Sequence, residues 1–526
     1  MSKKAILNCK FGIAQAASPT LAILKHLCYH GVMKRPNILI IMSDQHAKNF
    51  LGCYGNSIVR TPNLDRLAAE GLRFSNAYCP SPLCVPSRMS FMTGCYPSNS
   101  KVWNNKHVLS SGIPTWAHSL GAAGYETALI GRMHFVGPDQ RHGFEKRPIG
   151  EYSALHPGAA LKGGPRWTKF PAATSGQRKK GLDYAGTGKT HYQWFDDRVT
   201  EQTEKYLTEK GKEQGSSKNS RPFAAVAGFV LPHCPFIAPK DLYDYYYPLV
   251  GVPSVEERQP EVITRYRRIR GIQDPLPEER VRILRAAYYA LCEYMDNSIG
   301  RILNSLEENG LDQNTLVIYV SDHGELAGSH GCYWKSTYYE GSAGIPFIVR
   351  GPGIVNPGRV DSGLVSLYDI APTLCEAAGT QTISFSDGSS FLNRLKGSTS
   401  SPEVLISELV DQNGAPDGLA SGMIRMDVWK LWIHHDDESL PPALFNLKED
   451  PGELNDLGED PGHAGIRDAL AEELFLRWDP AAAQEGALRK SEAYELLVRW
   501  GEKINPESED ALPVPPPEIE DDVELK

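Results

Sequence analysis

Six short segments carry side chains that could do chemistry, and most of them follow an apolar run. Cys84-Val85-Pro86-Ser87-Arg88 leads into Met89-Ser90-Phe91-Met92-Thr93-Gly94, which predicts an amphipathic turn and a half of helix closed by glycine. Cys84 then opens a helix, where free N–H groups and the macrodipole favour negative charge. Such a cysteine is either an activated thiolate or a buried, inert thiol. Asp44-Gln45 ends one apolar run and Asp322-His323-Gly324-Glu325 ends another. Carboxylate and amide oxygens with an imidazole nitrogen suit a hard or borderline divalent ion. A single aspartate at a strand end is usually a cap or turn residue; two such ends flanking one nucleophile favour a metal site. The other three segments are Gly131-Arg132-Met133-His134, Leu231-Pro232-His233-Cys234-Pro235 and Trp334-Lys335-Ser336-Thr337. Each has a bland alternative: a loop residue, a structural histidine, a solvated lysine.

Positioning these residues requires strands that end together. Residues 37–42 form a continuous apolar run rich in β-branched side chains, and similar runs recur at 126–131, 223–230 and 316–320. Helical stretches at 62–71, 114–124 and 278–310 separate them, so the expected class is α/β, with a sheet covered on both faces. Ligands in such sheets collect beyond the strand C-termini, where Asp44 and Asp322 fall. Residues 152–188, rich in Gly, Pro, Lys and Ala, predict long surface loops. Residues 1–33 are expected to be a dispensable extension, 34–398 the catalytic domain, 399–504 a smaller subdomain with an antiparallel sheet, and 505–526 an acidic, Pro-rich tail, extended or disordered.

Composition narrows the partners. Across 526 residues the net charge of −9 arises from mixed acids and bases without a basic stripe, which argues against nucleic acid. No apolar run has the roughly 20 residues that cross a bilayer, and 6–27 make a poor signal peptide, so the expected location is cytoplasmic rather than periplasmic or secreted. Ten cysteines without paired spacing are expected to be mostly buried small hydrophobes. A homo-oligomer is compatible with the sequence.

Together the segments resemble the type I, formylglycine-dependent sulfatases of the alkaline phosphatase-like superfamily. Cys84-Val85-Pro86-Ser87-Arg88 resembles the signature Cys-x-Pro-Ser-Arg, in which a formylglycine-generating maturation enzyme oxidises the cysteine. The resemblance implies a large mixed sheet sandwiched by helices with a smaller C-terminal α+β subdomain. It implies one divalent metal held by Asp44, Gln45, Asp322, His323 and the residue made from Cys84, with calcium expected and manganese or magnesium as alternatives. Gln45 and His323 stand where many members carry carboxylate or amide oxygens, which is similar to the branch of choline sulfatases and phosphonate monoester hydrolases. Arg132 stands where many carry lysine, a change of fork geometry and hydration.

By the same resemblance a formylglycine hydrate attacks sulfur, while Arg88, Arg132, Lys335 and the helix N-terminus hold sulfuryl oxygens. His233 protonates the leaving alcohol, and His134 bonds the hydrate or takes its second proton. Ala443-Leu444-Phe445-Asn446-Leu447, with Asp450-Pro451 and Glu453 behind it, resembles the C-terminal sulfatase segment. The expected function is hydrolysis of a small-molecule, aryl or carbohydrate sulfate monoester. The alternatives are a phosphonate monoester or phosphodiester hydrolase and a noncatalytic protein that binds sulfated ligands.

Overall fold

The computed structural model describes residues 35–151, 156–159, 169–170, 177–217, 220–256, 259–411, 419–435, 437–506 and 519–526. The expected extension at 1–33, most of the expected loop between 152 and 176, and the tail from 507 to 518 lie outside the described residues.

Eight strands make the main sheet: β1 (Asn37–Asp44), β2 (Leu72–Phe74), β3 (Glu126–Gly131), β4 (Lys146–Ile149), β5 (Phe223–Pro232), β6 (Thr315–Ser321), β7 (Phe347–Arg350) and β8 (Arg359–Asp361). Their order is β8-β2-β7-β6-β1-β5-β3-β4. β1 is central and parallel to both neighbours, whereas β7 runs antiparallel to β6 and β2, so the sheet is mixed. Every residue of β1 and β5 is buried, which explains why they read as unbroken apolar runs instead of alternating ones. Pairing of Ile41 with Tyr319 and of Ser43 with Ser321 carries β1 and β6 to the same end of the sheet, bringing Asp44 level with Asp322.

Helices cover this sheet. α1 (Cys84–Thr93) packs with α2 (Trp116–Ala122) and α5 (Ile370–Ala378), while the long α3 (His191–Ser216) and α4 (Glu278–Glu308) pack on each other and on β5. A second, antiparallel sheet of β9 (Val404–Asp411), β10 (Leu419–Met426), β11 (Trp429–His434) and β12 (Ala443–Asn446) is joined by α6 (Ala464–Phe475) and α7 (Pro480–Ile504). This matches the expected C-terminal subdomain. Its Lys430 and Glu453 form buried ion pairs that reach Glu340 and Lys48 of the larger part.

Two expectations need correction. All ten residues of α1 are buried, so it is a core helix and not an amphipathic one. The end of the tail is ordered in the fold: Glu524–Leu525 pairs antiparallel with Thr187 and Gly186. Among the described residues no helix is long and apolar enough to cross a membrane.

Candidate active site

The ends of β1 and β6 and the start of α1 converge. One ligating atom each from Asp44, Cys84, Asp322 and His323 lies within 4.8 Å of the others, and all four residues are buried. The donor set suits a divalent ion for reasons beyond proximity. His323 Nδ1 lies 3.0 Å from the Gly324 carbonyl, which can only accept, so the ring proton sits there and Nε2 presents a bare lone pair. That Nε2 is 3.2 Å from Cys84 Sγ, 3.6 Å from an Asp322 oxygen and 3.9 Å from an Asp44 oxygen. Burial pushes the imidazole pKa down to about 4, so it is neutral and competent to ligate.

Arg88 pairs with both aspartates. Its Nε donates to Asp322 Oδ2 at 2.7 Å and its Nη2 to Asp44 Oδ2 at 3.1 Å, and further donors meet the Arg132 and Ser43 carbonyls. Burial favours the neutral acid of Asp44, but Arg132 and Arg88 outweigh it and hold the carboxyl well below its ordinary range. With these donors engaged and no exposure, Arg88 clamps the ligand carboxylates. The helix N-terminus is similarly committed. Asn105 Oδ1 accepts from Val85 N, the Leu83 carbonyl accepts from Ser87 N, and Pro86 has no N–H. What remains for an anion there is the Cys84 N–H and the macrodipole.

Arg132 donates through Nε to Asp44 Oδ2 at 2.8 Å and through Nη2 to His134 Nδ1 at 2.8 Å, and it faces Glu151 at 3.6 Å. A close backbone approach places it: Arg132 N donates to the Gly228 carbonyl, and a Cβ on Gly228 would lie 1.9 Å from the Arg132 oxygen. Because Arg132 fills Nδ1, the neutral His134 carries its proton on Nε2 and is a donor. Burial and Arg132 both hold its pKa well below the ordinary value.

Lys335 ties the remaining groups together. Its Nζ donates to Gln45 Oε1 at 2.6 Å, to His233 Nε2 at 3.0 Å and to Cys84 Sγ at 3.2 Å. Burial works against the ammonium, but Cys84, Asp44 and Asp322 more than compensate and raise its pKa. His233 Nδ1 faces the Cys234 carbonyl at 2.7 Å, so this ring is protonated on Nδ1 and accepts from Lys335 on Nε2. Burial and Lys335 keep His233 neutral in the free protein. The proton expected on His233 therefore resides on Lys335. Burial and Asp44 push the Cys84 thiol up to about 11, so the unmodified residue is a poor nucleophile at neutral pH.

Non-glycine residues with left-handed backbone cluster here: Gln45 at φ 67°, His134 at 60°, Trp334 at 66° and Ser336 at 67°. Such conformations cost of order 1–3 kcal/mol each and persist where the surroundings over-determine them. Tyrosine hydroxyls supply part of that: Tyr288 donates to the Gln45 carbonyl at 2.6 Å, and Tyr266 donates to the Tyr333 carbonyl at 2.6 Å with the Lys335 carbonyl also near, at 3.0 Å. Neither tyrosine was singled out in the sequence, nor were Glu151 and Glu325, both buried beside the site. Glu325 alone had a local signal, standing three residues after Asp322. His142 is not part of the site; it lies by Asp139 and Phe135. The described cysteines are free, and all but the half-buried Cys53 are buried.

Three buried cations, Arg88, Arg132 and Lys335, face four buried carboxylates, Asp44, Glu151, Asp322 and Glu325. Adding a divalent ion would turn this neighbourhood attractive to an anionic ester, as expected of a metal-assisted ester hydrolase. Residues 36–380 match the Sulfatase family profile, and residues 328–477 match that of the N-sulphoglucosamine sulphohydrolase C-terminal region. The chain belongs to the sulfatase family and is a sulfuric ester hydrolase. It is 34% identical to the choline-sulfatase of Rhizobium meliloti (strain 1021) over 490 residues, 88% of this chain and 91% of that protein. It is 28% identical to human arylsulfatase K, with 81% and 79% of the two chains covered. The phosphonate monoester hydrolase of Agrobacterium radiobacter shares the fold, with a TM-score of 0.66 at 24% identity over 84% of this chain and 95% of that one. A 2-O GAG sulfatase structure superposes equally well, with a TM-score of 0.66 at 24% identity over 88% and 94%.

Proposed function

We propose that this sulfatase hydrolyses a small organic sulfate monoester, using a formylglycine made from Cys84 by a maturation enzyme and one calcium ion held by Asp44, Gln45, Asp322, His323 and residue 84. The observation that carries the reading is the bare His323 Nε2 lone pair, 3.2 Å from Cys84 Sγ and within 4 Å of an oxygen of both Asp44 and Asp322. When bound, the ion would supply Lewis-acid charge and the formylglycine hydrate an oxygen nucleophile. The chain's own residues do the rest.

Arg88 holds Asp44 and Asp322 in place and Arg132 adds a second bond to Asp44, so the charge that meets the ester needs little reorganisation. Lys335 lies between residue 84 and His233, where its ammonium can touch both the sulfuryl group and the imidazole. The proton delivered to the leaving alcohol is the one shared by Lys335 Nζ and His233 Nε2. His134, with its Nε2–H, steadies an oxygen on residue 84 as a donor; acting as a base would require Arg132 to release Nδ1.

The similarity to a choline-sulfatase over nearly the whole chain supports a small alcohol as the leaving group. The test is turnover by matured protein of choline sulfate, nitrophenyl sulfate, a sulfated glucosamine and nitrophenyl phenylphosphonate in parallel. Highest kcat/KM on a sulfate ester of a small alcohol is expected. A phosphonate preferred over every sulfate would replace this reading by the phosphonate hydrolase one, and tight binding without any turnover would favour the noncatalytic one.

A further inference from the structure

The amide of Gln45 stands between two groups of opposite hydrogen-bonding character. On one side Lys335 Nζ, which can only donate, lies 2.6 Å from Oε1. On the other, the Glu325 carboxylate, which when ionised can only accept, takes a hydrogen bond from Nε2. Only one of the two amide orientations satisfies both neighbours, so the direction of the amide is set by chemistry and not by the fit of the side chain alone. Oε1 thus faces the ammonium that also touches Cys84 Sγ, on the side of the ligand cluster, and the NH₂ group faces away.

Glu325 is fully buried, and its other oxygen accepts from Ala327 N at 2.8 Å and Trp334 N at 2.7 Å. Those two backbone amides belong to residues held at positive φ, as does Gln45 itself. One carboxylate therefore braces the turn after β6, the approach to Lys335 and the Gln45 amide.

We propose that Glu325 is a positioning residue that fixes the Gln45 amide with its oxygen, and not its nitrogen, toward the metal. The inference rests on the metal site proposed above. An amide NH₂ turned toward a divalent cation cannot ligate it and places a partial positive charge against it. Groups that orient metal ligands in this way typically contribute 10- to 100-fold in metal affinity.

The test is calorimetric titration of the metal-stripped protein with Ca²⁺, for wild type, Glu325→Gln and the double exchange Gln45→Glu with Glu325→Gln. Melting curves of the stripped proteins are recorded alongside. In Glu325→Gln the new amide can still accept from Ala327 and Trp334, but it then offers NH₂ to Gln45 and releases or reverses that side chain. Ca²⁺ affinity should fall 10- to 100-fold. The double exchange restores a donor at position 325 facing an acceptor at position 45, keeps the net charge, and returns an oxygen to the metal side, so affinity should recover. Glu325→Gln binding Ca²⁺ like wild type would overturn the proposal, as would a folded double exchange that binds no better than the single variant. If the single variant does not fold, recovery in the double exchange decides alone. Wild type that takes up no Ca²⁺, Mn²⁺ or Mg²⁺ would instead refute the metal site itself.

Discussion

Replacing Arg88 with methionine removes the charge that both ligand aspartates share while leaving a straight chain of similar length in its place. The loss should fall unequally. Asp44 keeps Arg132 at 2.8 Å, whereas Asp322 keeps only the backbone N–H groups of Gln45 at 3.0 Å and His323 at 2.9 Å. Removing one partner of a buried pair costs about 3–5 kcal/mol, because a charge is left uncompensated away from water. We expect Arg88→Met to destabilise the metal-free protein by about that amount. A bound divalent cation neutralises the same carboxylates, so the loss should shrink in the loaded protein. Urea unfolding followed by tryptophan fluorescence measures both, as a lower midpoint at unchanged slope. The pH dependence has a definite sign. A carboxyl depressed in the folded state, as at Asp44, contributes stability that is complete above its unfolded value of about 3.9. That contribution is lost as pH falls through the lower folded value. The gap between wild type and variant should therefore be small in strong acid, open as pH rises through the carboxyl range, and stay level above it. A metal-free loss below about 1 kcal/mol, or a gap that ignores both metal and pH, would refute the clamp.

Two further outcomes follow from the site. In active protein, mass spectrometry of the peptide around Cys84 should show about 18 Da less than the thiol form, the change from thiol to aldehyde; active protein bearing only thiol would sink the maturation step. His233→Ala should cost about 10²–10⁴-fold in kcat on an alkyl sulfate, the usual range for general acid catalysis, and far less on nitrophenyl sulfate, whose leaving group needs no proton. Equal losses along a leaving-group series would show that His233 only orients Lys335.

The elements that deliver the site were legible because their chemistry is local. β1 and β6 are buried on both faces, so their sequences are apolar until the strand ends, and Asp44 and Asp322 mark those ends. The helix after Cys84 was legible in position but not in character. Ser87, Arg88 and Thr93 are polar letters that water could satisfy, yet Ser87 donates to the Asp322 carbonyl, Arg88 to both aspartates and Thr93 to the Met89 carbonyl. A polar residue in a sequence does not say whether water or protein will satisfy it. The residues that went unseen, Glu151, Tyr266, Tyr288 and Glu325, act through partners that are distant in the chain or reached around a turn. Tyr288 meets Gln45 across 243 positions, and no spacing rule spans that. The final residues misled for a related reason: their acidic, Pro-rich context suggests a disordered tail, but two of them find the open edge of the strand at 185–187.

What the sequence could not supply at all is where the protons are. His134, His233 and His323 are the same letter, and each was assigned to the site from its neighbours in the chain. Their roles diverge only through the group on one ring nitrogen. A carbonyl on Nδ1 leaves His323 with a lone pair aimed at the ligand cluster. A guanidinium on Nδ1 turns His134 into a donor. His233 has a carbonyl on one nitrogen and an ammonium on the other, which makes it an acceptor until Lys335 gives up its proton. Burial lowers the pKa of all three, so none is positively charged by default, and the cation that faces both His233 Nε2 and residue 84 is Lys335. The division of labour among ligand, donor and relay is thus set by three backbone or side-chain contacts one step removed from the chemistry, and a substitution at any of those contacts would reassign a role without touching a motif residue.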